Sequence, residues 1–275
     1  MSEEIFENLD TYSLIQCLLV SNTWKSLGMK VLLKRKDVML EACKIGNVEI
    51  VSLILDHLDN PEEINVRNNR GMTPFILSCS LGHTSVVKLL LDLSDTKGIA
   101  LNNSDDYGWN GFMYACREGH YDVAKLILDY SATKSIKLNC TRFKHGWTPF
   151  TYACIDGHTE VVRLLLEHPQ SENIQLTARS KFNWTPFMHA CNSGNEEIVD
   201  LILKHSETKN LKLNVKNKHG WTAFMYACKN GHTDIVKSLL DLSKIVDVQV
   251  PSDVQFSQEI EDLLSKSPNK RQRRD

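Results

Sequence analysis

The chain has 275 residues, 42% of them hydrophobic, with 32 basic and 34 acidic side chains and a formal net charge of −2. That composition is ample for a packed core, and the balanced charge leaves no global field to gather nucleic acid or an acidic membrane. No apolar run approaches the roughly 18 residues that span a bilayer, and the acidic start MSEEIFENLD lacks the basic and apolar stretches of a signal peptide. The expectation is a soluble chain of the cytoplasm, the nucleus or both.

Residues 3–27 come first. Leu9, Leu14, Leu18, Val20 and Trp24 point to two short helices around the LDTYS turn, a hydrophobic cap over whatever follows. The order L-D-x-x-x-L-x-x-C-x-x-V-x-x-x-W also resembles an F-box, which implies docking of a cullin-type ubiquitin-ligase adaptor through Leu9, Leu14, Val20 and Trp24. The Leu-Pro-x-Glu-Leu stretch that normally opens an F-box would lie before Met1.

From residue 37 the sequence repeats. Gly71-Met-Thr-Pro-Phe75, Gly108-Trp-Asn-Gly-Phe112, Gly146-Trp-Thr-Pro-Phe150, Asn183-Trp-Thr-Pro-Phe187 and Gly220-Trp-Thr-Ala-Phe224 recur every 37 or 38 residues, the mark of stacked supersecondary units. In the unit from Gly146, Thr148 caps a helix that Pro149 begins and Gly157 closes, so the helix is Pro149–Asp156. A second helix over Thr159–His168 carries Val161, Val162, Leu164, Leu165 and Leu166 on a broad apolar face. A polar loop, Pro169–Asn173, and an extended piece, Ile174–Thr177, lead to the next turn. Six closing glycines (Gly46, Gly82, Gly119, Gly157, Gly194, Gly231) mark six units, the first without its leading turn. Six of the eight cysteines, Cys43, Cys79, Cys116, Cys154, Cys191 and Cys228, share one position. Stacked helices lie roughly 8–10 Å apart, too far for disulfides, so a ladder of buried free thiols is expected.

The pattern G-x-T-P-F…A-C-x-x-G-H-x-x-V-V-x-L-L-L over about residues 38–245 closely resembles the ankyrin repeat. The usual His after the Phe position is replaced by Ile76, Met113, Thr151, Met188 and Met225. The period is lengthened by polar loops SDTKG, SATKS and SETKN. Asn110-Gly111 replaces Thr-Pro, and Asn183 replaces the leading Gly and must accept positive φ or rearrange. The resemblance implies an all-α ankyrin-repeat solenoid of about six helix-turn-helix units with short β-turn fingers. Helical caps at both ends complete it: a cap over 1–36, the array over 37–250, a capping helix over 251–266 and a basic tail over 267–275.

In ankyrin arrays the residue after the leading glycine lies on a projecting turn beside the concave face. Here that residue is Met72, Trp109, Trp147, Trp184 and Trp221, with Tyr107, His145, Phe182 and His219 nearby. Exposed rings of this kind form binding strips; the alternative is that the rings pack on one another along the stack. The ends of the first helices vary (Leu81, Arg117, Ile155, Asn192, Lys229) where core positions do not. Lys144, Lys181 and Lys218 repeat a positive charge near the turns. A protein partner, partly acidic, is expected on this surface and nucleic acid is not.

Cys and His stand four apart at Cys79/His83, Cys116/His120, Cys154/His158 and Cys228/His232, but the closing glycine interrupts the helical register that a metal site would need. Ankyrin units carry a structural Gly-His there, so no metal and no cofactor are expected. Nucleophile elbows, phosphate loops and dinucleotide fingerprints are missing from the sequence, and the expectation is a non-enzymatic, monomeric scaffold or adaptor. The runner-up is the substrate receptor of a cullin-type ubiquitin ligase. Toward the C-terminus, Lys244–Val250 reads as extended, and Phe256, Ile260, Leu263 and Leu264 line a short capping helix. The tail Ser267–Asp275 is disordered by composition. Its Lys270, Arg271, Arg273 and Arg274 suit a nuclear import receptor, and Ser267-Pro268 suits a proline-directed kinase.

Overall fold

The structure is a computed structural model that describes residues 6–20, 25–139, 146–241 and 256–266. Trp24, His145, the Lys244–Val250 segment and the 267–275 tail lie outside the described residues. The chain folds as two compact units, Met1–Cys140 and Thr141–Asp275, and no strand occurs among the described residues.

The first unit begins with helices α1 (Thr11–Val20) and α2 (Lys25–Leu32). Three helix pairs follow: α3 (Val38–Ile45) with α4 (Val48–His57), α6 (Pro74–Ser80) with α7 (Thr84–Asp92), and α9 (Gly111–Arg117) with α10 (Tyr121–Lys134). Single-turn helices α5 (Pro61–Ile64) and α8 (Ser94–Lys97) lie between the pairs. First helices α3, α6 and α9 pack side by side, second helices α4, α7 and α10 do the same, and α1 packs on α3. The second unit repeats the plan. Its pairs are α11 (Pro149–Asp156) with α12 (Thr159–Glu167), α13 (Pro186–Ser193) with α14 (Glu196–His205), and α15 (Ala223–Lys229) with α16 (Thr233–Asp241). Helix α17 (Gln258–Lys266) packs on α16 and buries Ile260.

Local chemistry sets these boundaries. Thr148 accepts the Thr151 amide at 3.3 Å, and Thr185 accepts that of Met188 at 3.2 Å, satisfying donors that a helix start leaves open. Asn110 takes over the task in its unit, accepting the Met113 amide at 3.0 Å. Gly111, standing where other units have Pro, sits so close to the neighbouring repeat that an added Cβ would lie 2.8 Å from Cys79 Sγ. The closing Gly-His dipeptide has a double role. Gly194 adopts φ +79°, and an added Cβ there would lie 2.5 Å from the ring of His232. That ring reaches back to hold the carbonyl of Asn192 in the preceding repeat at 3.1 Å. His83 and His120 bind Lys44 O and Ser80 O in the same way, each at 3.0 Å. These imidazoles are inter-repeat ties on helix-end carbonyls, which is the structural role expected of them.

The thiols of Cys43, Cys79, Cys116, Cys154, Cys191 and Cys228 are free and buried, as expected. Desolvation raises their pKa values, those of Cys43 and Cys228 to about 12, so they fill space as small apolar groups. Phe75, Phe112, Phe150 and Phe224 are each at most 2% exposed and belong to the core.

Two expectations need correction. The lengthened period is helical rather than looped in the first unit and a tight turn in the second. Ser94 starts α8, SATKS continues α10 to Lys134, and SETKN forms a turn after α14. The Oγ of Ser94, Ser131 and Ser206 donates to the carbonyl three residues earlier at 2.7–2.8 Å, continuing the helical path. Each extension closes in the left-handed region, at Gly98, Ser135 and Asn210. Its lysine then crosses to the preceding repeat: Lys97 to Leu58 O at 3.1 Å, Lys134 to Asp95 at 2.6 Å and Lys209 to Ser171 Oγ at 2.6 Å. The segment Ile174–Thr177, expected to be extended, is a turn following a 3₁₀ turn at Pro169–Asn173.

Candidate functional site: the turn face

Each described turn is organised by one short polar residue. Asp105 Oδ1 accepts the amides of Tyr107 (3.0 Å) and Trp109 (2.7 Å). Ser180 Oγ accepts those of Phe182 (3.2 Å) and Trp184 (3.1 Å). Asn217 Oδ1 accepts those of His219 (2.9 Å) and Trp221 (3.0 Å). The backbone of the same residue donates to the tryptophan carbonyl at 2.9 Å in all three turns. These bonds fix two side chains on opposite sides of the loop. The residue at the tip points outward: Tyr107 is 69% exposed, Phe182 48%, and His219 is exposed. The tryptophan two positions later turns back toward the helices and is half-buried. Asn183 takes φ +63° in place of glycine, and its Nδ2 donates to Lys216 O at 2.5 Å, so the asparagine accepts the left-handed conformation and ties its turn to the next.

The tryptophans find ring partners on the first helices. In the first unit Trp109 packs 5.1 Å from Tyr114. In the second unit six rings form an unbroken series. Trp147 contacts Tyr152 and His189, each at 5.4 Å and edge-on. Trp184 contacts His189 at 4.7 Å and Tyr226 at 4.4 Å, and Tyr226 in turn contacts Trp221 at 5.1 Å. The tyrosines are anchored back to the turns. Tyr114 Oη donates to Asp105 Oδ2 at 2.7 Å, and desolvation together with that acceptor raises the phenol's pKa. Tyr226 Oη accepts from Asn217 Nδ2 at 2.7 Å. At the equivalent place in the middle repeat stand Ser180 and His189. The histidine Nε2 is buried without a hydrogen-bond partner, and desolvation lowers its pKa to about 4, which keeps the ring neutral.

Cations ride over these rings. Arg117 lies 5.0 Å from the Trp109 centroid, Lys229 5.0 Å from Trp221, and Lys181 4.8 Å from Phe182. Ile155 and Asn192 occupy the corresponding helix ends in the other two repeats of the second unit, both partly exposed, and Leu81 is 43% exposed. Adjacent tips are bonded to each other: Asp106 N donates to Arg70 O and Lys218 N to Phe182 O, each at 3.0 Å.

The structure therefore places the expected contact residues unevenly. Tyr107, Phe182, His219, Arg117 and Lys229 are exposed, with Ile155 partly so. Trp109, Trp147, Trp184 and Trp221 form the floor between turns and helices, because each ring packs on a tyrosine or histidine. Met72 is only 5% exposed and offers a partner almost no surface; with Leu77 where later repeats have Tyr or His, its turn has no ring pair. The ring partners Tyr114, Tyr152, His189 and Tyr226 are the residues that sequence reasoning missed, although FMYAC, FTYAC, FMHAC and FMYAC repeat them at one position. In the N-terminal segment Leu14 is fully buried, which removes it from any adaptor-docking surface, and Leu9 is partly exposed. A Cβ on Gly28 of α2 would lie 2.8 Å from Leu18 and 3.7 Å from Leu14, so both leucines serve the α1–α2 contact. The side chain of Val20 lies outside the described residues.

No described helix is long and apolar enough to cross a membrane. A comparison with curated proteins gave no match. A family profile described as ankyrin repeats, in three copies, matches residues 7–95, 38–139, 97–178, 133–212 and 170–251. Together these matches run through both compact units, and with the helix pairs, turns and Gly-His ties they lead to one conclusion: the chain belongs to the ankyrin-repeat family, and its repeats are a protein–protein interaction module.

Proposed function

We propose that the chain is a non-enzymatic scaffold that binds protein on the turn face of each of its two units. In this reading Tyr107 and Arg117 make the contacts in the first unit and Phe182, His219, Ile155 and Lys229 make them in the second, while the tryptophans set the floor beneath them. The observation that carries it is the exposure of Tyr107 and Phe182 on turns whose amides are held by Asp105 and Ser180. Large rings held out on rigid loops lose little side-chain freedom on contact. The N-terminal helices α1 and α2 act as a cap on the first repeat, consistent with the inward packing of Leu14 and Leu18.

The test compares capture by the intact chain with capture by two variants. Tyr107→Ala with Phe182→Ala removes the tips, and Asp200→Ala with Lys204→Ala alters the exposed side of α14. Species lost from the tip variant and retained by the α14 variant support the reading. Equal retention by both would remove it.

A further inference from the structure

We propose that the turn face of the second unit takes an extended acidic peptide. The proposal rests on the reading that the turn face binds protein, and it adds the chemistry of the segment bound. In the first unit two of the cations near the turns have acidic partners: Arg67 pairs with Asp106 at 3.1 Å and Arg117 with Glu118 at 3.7 Å. In the second unit the position of Asp106 is held by Lys181 and Lys218, and Lys229 is followed by Asn230 rather than by an acid. Among the described residues no carboxylate pairs with Lys181, Lys218 or Lys229, whereas Arg163, Lys237 and His205 on the second helices of the same unit do have acidic partners. The corresponding residue after Ile155 is Asp156, which makes the α11 end of the face less basic than the α15 end.

The form of the ligand follows from the rings. Single-stranded nucleic acid binds cationic, aromatic surfaces by stacking bases on open ring faces. Trp184 has His189 and Tyr226 packed on it at 4.7 and 4.4 Å, and Lys181 lies over Phe182. Rings engaged in this way leave the ammonium groups as the reactive feature of the face, and carboxylates complement them. Successive repeats stack at roughly 8–10 Å, and a polyproline-II segment advances ~3.1 Å per residue with three residues per turn. Acidic side chains at every third residue of such a segment share one face at about 9 Å spacing and so match the repeat that carries Lys181 and Lys218.

The experiment measures fluorescence anisotropy of the full chain with three labelled probes. One is a peptide of about twelve residues, spanning roughly 37 Å as polyproline II, with Glu at every third position among Ala and Ser. The second is its Gln counterpart, and the third a thymidine oligonucleotide of similar length. The Glu peptide is expected to bind at least about tenfold more tightly than the Gln peptide and to weaken as salt rises. Lys181→Glu with Lys218→Glu should weaken the Glu peptide by about tenfold or more, with an unchanged thermal melt and unchanged Gln-peptide binding. Arg67→Glu should change nothing. Failure of the Glu peptide to bind, equal binding of the two peptides, indifference to the lysine variant, or tighter binding of the oligonucleotide would each overturn the proposal. Equal peptide binding that is lost in Phe182→Ala would remove the acidic assignment and leave the turn face a protein-binding surface. Glu-peptide binding that ignores both Phe182→Ala and the lysine variant would remove both readings.

Discussion

Tyr226 and Asn217, nine residues apart, are joined by a 2.7 Å hydrogen bond that ties a projecting turn to the helix behind it. Tyr114 and Asp105 form the same link. At the same spacing Ser180 is too short to reach the ring of His189, whose Nε2 is buried without a partner. The middle repeat thus keeps the ring packing and lacks the tie.

Restoring the tie should stabilise the second unit. Ser180→Asn with His189→Tyr recreates the Asn217–Tyr226 arrangement and is expected to add about 1 kcal/mol, a rise of a few degrees in Tm. His189→Tyr alone leaves the hydroxyl without the amide donor that Asn217 supplies to Tyr226 and should gain nothing. Thermal melts of both variants and the parent give the comparison; a double variant no more stable than the single would show that the missing bond is without consequence.

His189 also gives an acid-sensitive contribution of known sign. Its folded pKa of about 4 lies below the ordinary 6.5 because burial penalises the charged ring. The neutral imidazole therefore adds stability that is fully present above pH 6.5 and is lost as pH falls toward 4 and below. The amount is ~2–3 kcal/mol for a ring this buried. In His189→Phe the decline of Tm from pH 7 to pH 4 should be shallower than in the parent. Parallel curves would mean that the ring protonates without loss of packing.

Much of this architecture was legible in the sequence, and the reason is physical. The helix start at Thr148-Pro149 and the closure at Gly157 depend on caps and φ preferences that act within a few residues, so the local sequence carries them. The glycine position that Asn183 occupies allowed either positive φ or a rearranged turn, and the asparagine takes positive φ. That SDTKG and SATKS are helical and SETKN a tight turn was not legible. Their serines and threonines are ordinarily loop formers, and the lysine of each reaches a different repeat. Packing of the tryptophans stood as one of two alternatives in the sequence; which residue each ring packs on was hidden, because a turn residue looks exposed until the tyrosine or histidine is placed beside it.

Gly111 shows how tightly adjacent repeats fit. Gly111→Ala would place Cβ 2.8 Å from Cys79 Sγ and 3.1 Å from Phe75 Cε1, and overpacking of that kind costs about 1–3 kcal/mol. Adding Cys79→Ala removes the sulfur and should recover part of the loss. Denaturant melts of the two single variants and the double variant should be non-additive by at least about 0.5 kcal/mol. Strict additivity would contradict direct contact between the repeats at this point.

Floor and tip residues should separate in their effects. Trp184→Ala takes away a ring packed on both His189 and Tyr226 and is expected to cost about 2–4 kcal/mol, measured by thermal or denaturant unfolding. Phe182→Ala removes an exposed tip and should stay within about 0.5 kcal/mol of the parent. A Trp184→Ala variant as stable as the parent would mean that the ring series supports nothing beneath it.

Whether the turn tips meet the partner can be asked by position-specific photo-crosslinking in cells, with p-benzoylphenylalanine placed at Phe182 in one variant and at the exposed Lys204 of α14 in another. Adducts formed from position 182 and not from position 204 are the predicted result. Adducts from position 204 with none from 182 would contradict it and move the binding surface to the second helices.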